Sequence, residues 1–198
     1  MTAALREQVP RLLDCLAHGK DIGLQAECGV GKSTIILQEL VECPDITGTI
    51  AVVQPRRLPT RRVAERVQSM TTEHVCWKTG NGGEGPEDAR LQFMTPVIFI
   101  KRCLKRDAFF PDLSVVVVDE VHERACDQDI VCAMVRGYLQ KTRPHVRLVL
   151  LSNHISKAFQ ATWDTEQETL ELIDLSGFRE QSLTITYAAC YFYIKKTP

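Results

Sequence analysis

The sequence predicts an α/β protein in which a mainly parallel sheet carries helices on both faces. Two observations lead to this fold class. Short apolar segments of strand length alternate along the chain with longer segments in which apolar residues recur at helical spacing. Polar clusters follow directly after four of the apolar segments, at the carboxyl ends of the predicted strands. Open α/β sheets bind their ligands at the edge formed by these carboxyl ends. Because 198 residues suffice for one substantial core and hardly for two, we expect one domain over residues 1–198.

The composition is ordinary for a globular protein and limits the possible partners. Hydrophobic residues make up 44% and charged residues 25% of the chain, and the formal net charge is −1. A polyanion can therefore bind only to a local basic face, because the field of the whole molecule is weak. No apolar run reaches the ~20 residues of a membrane span, and residues 1–10 lack a secretory apolar core. We expect an intracellular protein, cytoplasmic or nuclear, without a membrane partner.

Eight cysteines are scattered along the chain without a C-x-x-C pair. Clustered pairs would indicate a metal or disulfide site, whereas isolated cysteines of intracellular proteins are usually buried thiols. We therefore interpret them as free thiols. Cys28 differs in location because it lies in a glycine-rich turn, where its small side chain replaces a serine or threonine.

The first third of the chain alternates helix and strand patterns. Apolar residues at helical spacing predict a helix at 5–18, and the short apolar run 22–24 predicts the first strand. A helix follows a glycine turn and ends near Pro44, and the continuous apolar run 49–53 predicts a buried strand. Thr60, a favourable N-cap residue, is then expected to begin the next helix.

The next segment contains a cluster of glycines at 80–86 between two apolar runs, 74–77 and 91–94. The cluster is expected to join two strands, either as a loose hairpin or as a strand-turn-strand excursion. A second phosphate-binding loop is the alternative, but the cluster has no Lys-Ser pair and no following helix. A helix is then expected at 95–106, because proline is favourable in a first helical turn.

Four consecutive valines at 115–118 are the strongest buried-strand signal in the sequence. A helix is expected to resume near Asp127. Its apolar face is predicted to contain Ile130, Val131, Met134, Val135, Tyr138 and Leu139. The remaining predicted elements are a strand at 146–151, a short helix at 157–163 and strands at 169–175 and 183–187.

The segment 25–34, Gln-Ala-Glu-Cys-Gly-Val-Gly-Lys-Ser-Thr, lies between a strand and a helix, which is the context of a phosphate-binding loop. Its two glycines allow backbone N–H groups to point inward, and the helix adds the positive end of its dipole. Lys32 would contact the β- and γ-phosphates of a nucleotide, and the Ser33 hydroxyl would bind Mg²⁺. Ala26 replaces the first glycine of G-x-x-x-x-G-K-[ST], so a chance glycine turn is the alternative. The candidate nucleotide-binding residues are Glu27, Cys28, Gly29, Val30, Gly31, Lys32, Ser33 and Thr34.

An acidic pair, Asp119 and Glu120, follows the four-valine strand. Considered alone, such a pair is the polar start of a loop as often as it is a functional site. A phosphate-binding loop, however, requires an acidic partner that holds the metal ion. Asp119 would hold Mg²⁺ through its carboxylate or a bound water. Glu120 would orient and deprotonate the water that attacks the γ-phosphate. His122 would relay between the nucleotide and the rest of the site, although a single histidine after a strand is more often a hydrogen-bonded structural residue.

Five motifs occur in a defined order along nearly the whole chain. They are residues 26–34, Gln-Pro-Arg-Arg at 54–57, Phe-Met-Thr at 93–95, Asp-Glu-Val-His-Glu-Arg at 119–124 and Ser-Asn-His at 152–154. Together they resemble the DEAH-box (DEAH/RHA) RNA helicases of superfamily 2. The resemblance implies a RecA-like P-loop NTPase lobe that binds ATP, Mg²⁺ and one side of a single-stranded RNA. It further implies that Arg56, Arg57 and Thr95 contact the RNA backbone and that Arg66 stacks on the adenine. Such contacts position a strand without reading its sequence.

The sequence departs from the family pattern at three points. Asn153 and His154 stand where the family's Ser-Ala-Thr has alanine and threonine, so the threonine that helps couple hydrolysis to strand separation is missing. Thr95-Pro96-Val97 stands where the family has Thr-Asp-Gly. A second RecA-like lobe is absent from the 198 residues, and the arginine finger that it would supply is worth ~10³–10⁵ in rate. We therefore expect the chain to bind nucleotide, to hydrolyse it slowly and to need a second lobe in cis or in trans.

The leading hypothesis is the ATP-binding lobe of an ATP-dependent RNA helicase, and two others stay open. The first is a degenerate helicase-like module that binds RNA or protein without coupled unwinding, for which the altered motif at 152–154 is the main support. The second is another phosphate-loop enzyme, such as a GTPase or a small-molecule kinase. The chain has no Asn-Lys-x-Asp for guanine, and neither enzyme explains the motif at 54–57.

Overall fold

The computed structural model describes residues 2–27, 29, 31–105, 110, 112–163 and 170–176. Their strands are β1 (Asp21–Gln25), β2 (Thr49–Val53), β3 (Val75–Thr79), β4 (Gly82–Glu84), β5 (Leu91–Met94), β6 (Leu113–Val118), β7 (Arg147–Ser152) and β8 (Leu170–Asp174). Their α-helices are α1 (Thr2–Ala17), α2 (Leu37–Glu42), α3 (Arg57–Gln68), α4 (Pro96–Leu104), α5 (Cys126–Met134), α6 (Gln140–Thr142) and α7 (Lys157–Ala161). The predicted strand at 183–187 and the predicted helix end at Arg106 lie outside the described residues.

All eight strands join one sheet in the order β4-β3-β5-β2-β6-β7-β1-β8. Each neighbouring pair is parallel except β3 and β4, which are antiparallel. The prediction of a mainly parallel sheet is therefore confirmed. The order places β6, β7 and β1 side by side, and β2 lies next to β6. The carboxyl ends of these four strands, where the polar clusters begin, consequently share one edge of the sheet.

Helices cover both faces of the sheet, as predicted, because alternate strand residues point to opposite sides. Val117 of β6 belongs to a core with Leu40 of α2, to which α1 and α3 also contribute. Val118, the next residue, belongs to the opposite core with Phe99 of α4, to which α5 and α7 also contribute. Burying a side chain such as Leu40 contributes roughly 1.5–3 kcal/mol. The two layers hold the central strands, and hence their carboxyl ends, in fixed register.

The start of α3 differs from the prediction that Thr60 caps it. The helix begins at Arg57, and Thr60 is buried inside it, with its Oγ1 donating a hydrogen bond to the Arg56 carbonyl at 2.7 Å. Pro59 explains the earlier start, because the third position of a helix needs no backbone N–H and tolerates proline. Of the two arginines in the Gln-Pro-Arg-Arg motif, Arg56 is thus the N-cap residue and Arg57 is the first residue of α3.

The glycine cluster forms the second of the two predicted arrangements, an excursion between strands. The flanking strands β3 and β5 are parallel, so the loose hairpin between them is wrong. Instead the chain turns back after β3 and its glycines form β4, antiparallel to β3. A Cβ at Gly83 would lie 2.6 Å from the Trp77 carbonyl oxygen, so this close approach requires glycine.

The helical segment after β6 contains a wide turn that sequence periodicity did not reveal. A π-helical turn, Val135–Leu139, lies between α5 and α6. Val131, Val135 and Leu139, spaced by four residues, are buried, as expected when a wider turn keeps such residues aligned. Ile130 and Tyr138 are 44% and 54% exposed, so the prediction that they share the buried face is wrong.

The described cysteines are free thiols, and four of the six are buried. The expectation of buried thiols is confirmed at Cys15, Cys43, Cys76 and Cys132, and it is wrong for Cys126, which is exposed. Burial raises the pKa of the Cys132 thiol to about 12, which keeps it protonated and unreactive. Cys28 and Cys190 lie outside the described residues. Among the helices that the structure describes, none has both the length and the apolar character needed to cross a membrane.

Candidate functional site

The predicted polar clusters meet at the carboxyl edge of β1, β6 and β7. The Ala26 N–H donates to the Ser152 carbonyl at 3.0 Å, which ties the start of the phosphate-binding loop to the end of β7. The Asp119 N–H donates to the Val53 carbonyl at 2.9 Å, which ties the end of β6 to the end of β2. The order of the strands therefore brings together residues that are distant in sequence.

The loop has the backbone conformation that the two glycines predict. Gly29 and Gly31 have φ values of +79° and +87°, which residues with a Cβ rarely adopt. The N–H groups of Thr34 and Ile35 donate to the Gly31 carbonyl at 3.1 and 2.8 Å and begin the π-helical turn Lys32–Ile36. A residue with left-handed backbone conformation directly before a helical turn makes successive backbone N–H groups point into one concavity. This is the shape of an anion-binding loop. The predicted loop residues Cys28 and Val30 lie outside the described part of the chain.

Lys32 points inward and is 5% exposed. Its Nζ donates to the backbone carbonyls of Ala26 and Glu27, the latter at 2.9 Å, and to Oδ1 of Asn153 at 2.6 Å. A buried ammonium group needs such acceptors, because removing it from water is costly. The loop thus holds a fixed positive charge at the position where a phosphate group would lie.

Asp119 is a buried carboxylate, 2% exposed, next to this lysine. Its Oδ2 accepts from Gln54 Nε2 at 2.8 Å and its Oδ1 from the Glu120 N–H at 2.9 Å. Burial raises the pKa of Asp119 to about 6, although the Ser33 hydrogen bond and the Lys32 charge oppose this rise. A divalent cation would favour the ionised form. The hard oxygen ligands of Asp119 and Ser33 therefore fit Mg²⁺.

Glu120 has a strained backbone that aims its side chain. Its φ and ψ are +55° and +41°, and Arg124 has a similar left-handed conformation at the other end of the 3₁₀ turn Val121–Glu123. Such a conformation costs about 1–2 kcal/mol for a residue with a Cβ, and strain of this kind clusters at functional sites. Oε2 of Glu120 is buried and accepts no hydrogen bond from the described residues. His122 Nδ1 lies 3.3 Å from this oxygen but outside hydrogen-bond geometry, so Oε2 keeps the capacity to accept a hydrogen bond from a water molecule.

His122 lies between the acidic pair and the end of β7. Its Nδ1 is 3.3 Å from Glu120 Oε2 and 3.4 Å from Ser152 Oγ. Its Nε2 is 3.4 Å from Asn153 Nδ2. His122 therefore contacts both the predicted general base and the altered Ser-Asn-His motif, and its role as a relay stays a prediction.

The residues predicted to contact RNA lie at the ends of β2 and β5. Arg56 is exposed and forms an ion pair with Glu123 at 3.1 Å, and Arg57 donates to Asn81 Oδ1 at 2.7 Å. Thr95 precedes α4 and is only 8% exposed. Arg66 is exposed in the last turn of α3, roughly 13 Å along the helix from Arg57. Of the four residues, Arg56 and Arg57 are thus exposed at the edge of the sheet and Thr95 is largely buried. Arg66 lies at the other end of α3, away from this edge.

The family model described as DEAD/DEAH box helicase matches residues 6–162 of the chain. The chain belongs to the DEAD/DEAH box helicase family. The match covers the phosphate-binding loop, the acidic pair and the motif at 152–154, so the site and the family assignment rest on the same residues.

Relatives within the helicase family are full-length enzymes of which this chain covers a small part. The ATP-dependent RNA helicase HrpB of Escherichia coli is 31% identical over 149 residues, which are 73% of this chain and 18% of HrpB. The probable ATP-dependent RNA helicase DHR1 of Saccharomyces cerevisiae is 28% identical over 159 residues, 71% of this chain and 12% of DHR1. The chain therefore spans less than a fifth of the length of these curated relatives.

A crystal structure of the Escherichia coli DEAH/RHA helicase HrpB has the same fold. The TM-score is 0.73 at 25% identity, and the similarity covers 85% of this chain and 22% of HrpB. This similarity confirms the predicted RecA-like fold, which the DEAD/DEAH box helicase family shares.

Two glutamines hold Asp119 in place, and the sequence assigned them no role. Gln54 holds Oδ2 of Asp119, and Gln128 is 1% exposed and donates through Nε2 to the Asp119 carbonyl at 2.6 Å. Gln54 is part of the Gln-Pro-Arg-Arg motif, but its hydrogen-bond partner depends on which strands are neighbours, and no local pattern shows this. Gln128 carries no sequence signal, because a glutamine in a first helical turn is usually exposed.

Proposed function

We propose that this chain is the first RecA-like lobe of an ATP-dependent RNA helicase, binds ATP and Mg²⁺, and holds the backbone of single-stranded RNA. The observation that carries the proposal is the meeting of Lys32, Asp119 and Glu120 at the edge shared by β1, β7 and β6. An ammonium group for the phosphates, a buried carboxylate for Mg²⁺ and a carboxylate that can orient water are the parts of a phosphoanhydride-hydrolysing site that this chain contributes.

Each part has a defined task in this proposal. The N–H groups of the loop and Lys32 bind the phosphates, and Ser33 and Asp119 hold Mg²⁺. Magnesium bound there would neutralise charge on the phosphate oxygens. Glu120 accepts a proton from water, and His122 keeps the Glu120 carboxylate in place through its Nδ1 contact.

RNA binding is supported by the exposed arginines at the end of β2. Arg56, the N-cap residue of α3, and Arg57, its first residue, lie at the same edge as the nucleotide site. Guanidinium groups suit phosphate contacts that do not depend on base sequence. Glu123, which pairs with Arg56, follows the acidic pair by three residues, so RNA bound at Arg56 would compete with a residue of the nucleotide-site turn.

The remaining parts of the proposal concern partners outside these residues. A second RecA-like lobe, in cis or in trans, supplies the arginine finger and the other side of the RNA site. The lengths of the relatives support this, because each extends far beyond the region that matches. Arg66 contacts the adenine, and the protein acts inside the cell, in the cytoplasm or the nucleus.

Nucleotide binding tests the proposal directly. The wild-type chain is expected to bind a fluorescent ATP analogue in the presence of Mg²⁺, and Lys32→Ala is expected to lose binding. Lys101→Ala, an exposed lysine on α4, is the matched control and should bind like wild type. Absence of binding by the wild type, or equal binding by Lys32→Ala, would contradict the proposal.

Hydrolysis tests the role of the second lobe. When the chain is joined to a second RecA-like lobe, RNA is expected to stimulate ATP hydrolysis, and Glu120→Gln is expected to abolish hydrolysis while nucleotide still binds. The chain alone is expected to hydrolyse ATP slowly. Robust RNA-stimulated hydrolysis by the 198-residue chain alone would refute the need for a second lobe.

A further inference from the structure

Asn153 connects the phosphate-binding loop to the acidic turn through one side chain. Its Oδ1 accepts from Lys32 Nζ at 2.6 Å, and its Nδ2 lies 3.4 Å from His122 Nε2. Asn153 directly follows β7, the strand that lies between β1 and β6 in the sheet. This position allows a single carboxamide to reach residues from the strands on either side.

The orientation of the carboxamide is determined by its neighbours. A lysine ammonium group is a donor only, so the oxygen of the amide must face Lys32 and the NH₂ must face His122. The hydroxyl hydrogen of Ser152 is used in a 2.7 Å bond to the His154 carbonyl, so Ser152 Oγ accepts from His122 Nδ1. In a neutral imidazole, Nε2 is then the acceptor for Asn153 Nδ2.

Three acceptors of the described residues surround Lys32 Nζ, an ammonium group with three hydrogens. A phosphate oxygen that binds Lys32 therefore competes with these acceptors for the same hydrogens. The carbonyls of Ala26 and Glu27 belong to the loop backbone and cannot leave without unfolding the loop. The Asn153 amide is on a side chain with two rotatable bonds, so it is the acceptor that can yield.

We propose that Asn153 is a positioning residue that holds Lys32 in the nucleotide-free protein and is displaced when phosphate binds, so that it reports nucleotide binding to His122. This inference rests on the proposed nucleotide-binding function and adds a competition within the same site. The amide oxygen occupies the place of a phosphate oxygen on Lys32. Its displacement removes the donor from His122 Nε2 and thereby changes the contacts of the residue next to Glu120.

Two substitutions with opposite expected effects test the contact with Lys32. Asn153→Ala removes the competing acceptor and is expected to tighten binding of the ATP analogue about three- to tenfold. Asn153→Asp places a carboxylate against Lys32 and beside the incoming phosphates, and is expected to weaken binding about tenfold or more. The matched control is Asn81→Asp, which makes the same change in charge at an exposed turn away from Lys32.

The outcomes separate this inference from the proposed function. If wild type binds nucleotide and Lys32→Ala does not, the proposed function stands. The inference alone is then overturned if Asn153→Ala and Asn153→Asp leave the affinity for nucleotide unchanged, or if both change it in the same direction. Loss of stability without a change in affinity, measured by thermal melting of the same samples, also overturns it. If Asn153→Asp does not fold, Asn153→Ser replaces it. The serine hydroxyl is too short to reach Lys32, so this variant is expected to bind like Asn153→Ala.

The contact with His122 has its own measurement. Nitrogen NMR of the imidazole in the nucleotide-free protein is expected to show a hydrogen on Nδ1 and none on Nε2, with the signals assigned through His122→Ala. Addition of the ATP analogue is expected to shift the Nε2 resonance in wild type but not in Asn153→Ala. A hydrogen on Nε2 in the nucleotide-free protein, or an equal shift in both proteins, would refute the link.

Discussion

Replacement of Asp119 by asparagine is expected to stabilise the metal-free protein at neutral pH. Asp119 is 2% exposed, and burial raises its pKa from 3.8 to about 6. A rise of about 2 pKa units corresponds to about 3 kcal/mol of unfavourable free energy for the ionised carboxylate in the folded state. Asparagine carries no charge and so avoids this unfavourable energy. It has one acceptor oxygen instead of two, so the hydrogen bond from Gln54 is lost, which costs ~1 kcal/mol of stability. The expected net gain is about 2 kcal/mol.

The dependence on pH distinguishes this mechanism from a general packing effect. A carboxyl whose folded pKa is raised gives its full stability below the unfolded pKa of 3.8, and this stability is lost as pH rises through about 6. The difference between Asp119→Asn and wild type should therefore be small near pH 4 and reach its full size above pH 6.5.

Urea unfolding between pH 4 and 7.5, with a chelator present, measures this difference. Asp45→Asn, at an exposed aspartate, is the control and should change little. In a second series with Mg²⁺ and the ATP analogue, wild type is expected to gain stability and Asp119→Asn is not. A variant less stable than wild type at pH 7.5 without metal, or a difference that does not vary with pH, would refute the reasoning.

Three other predictions concern backbone and burial. Gly31→Ala should weaken nucleotide binding more than Gly29→Ala in a titration, because both have positive φ but only a Cβ at Gly31 would meet a side chain at 3.0 Å. In urea unfolding, Gly48→Ala should cost at least about 3 kcal/mol, since its Cβ would lie 2.0 Å from a carbonyl oxygen, whereas Gly137→Ala, in open space within a helix, should add about 0.5–1 kcal/mol. Burial raises the pKa of Asp21, so its contribution to stability should fall as pH rises above 3.8, and wild type should lose stability relative to Asp21→Asn over that range. An unchanged pH profile of the asparagine variant would contradict the last prediction.

Patterns confined to one element were predictable from the sequence. The strand at the four valines and the loop around Gly31 were found because periodicity and glycine content act over a few residues. The start of α3 was missed because a favourable cap residue, Thr60, outweighed the tolerance of a first turn for Pro59. The π-helical turn Val135–Leu139 was missed because its buried residues are also compatible with an ordinary helix.

The chemistry of the site was predicted residue by residue, but its contacts were not. Lys32, Asp119 and Glu120 could be named from their motifs. That Asn153 touches Lys32 depends on β7 lying between β1 and β6, and strand order is not written in any local pattern. The sequence identified Asn153 as a departure from the family, whereas only the fold shows which group it contacts.

The sheet separates the two cores, and this separation affects how the sequence of such a lobe can diverge in evolution. Leu40 and Phe99 belong to two separate buried clusters, one on each face of the sheet. A change of volume on one side is absorbed by the helices of that side, so compensating changes are expected within a face and not between faces. Each layer of helices can therefore diverge independently, while the strands between them keep Lys32, Asp119 and Asn153 at the same edge.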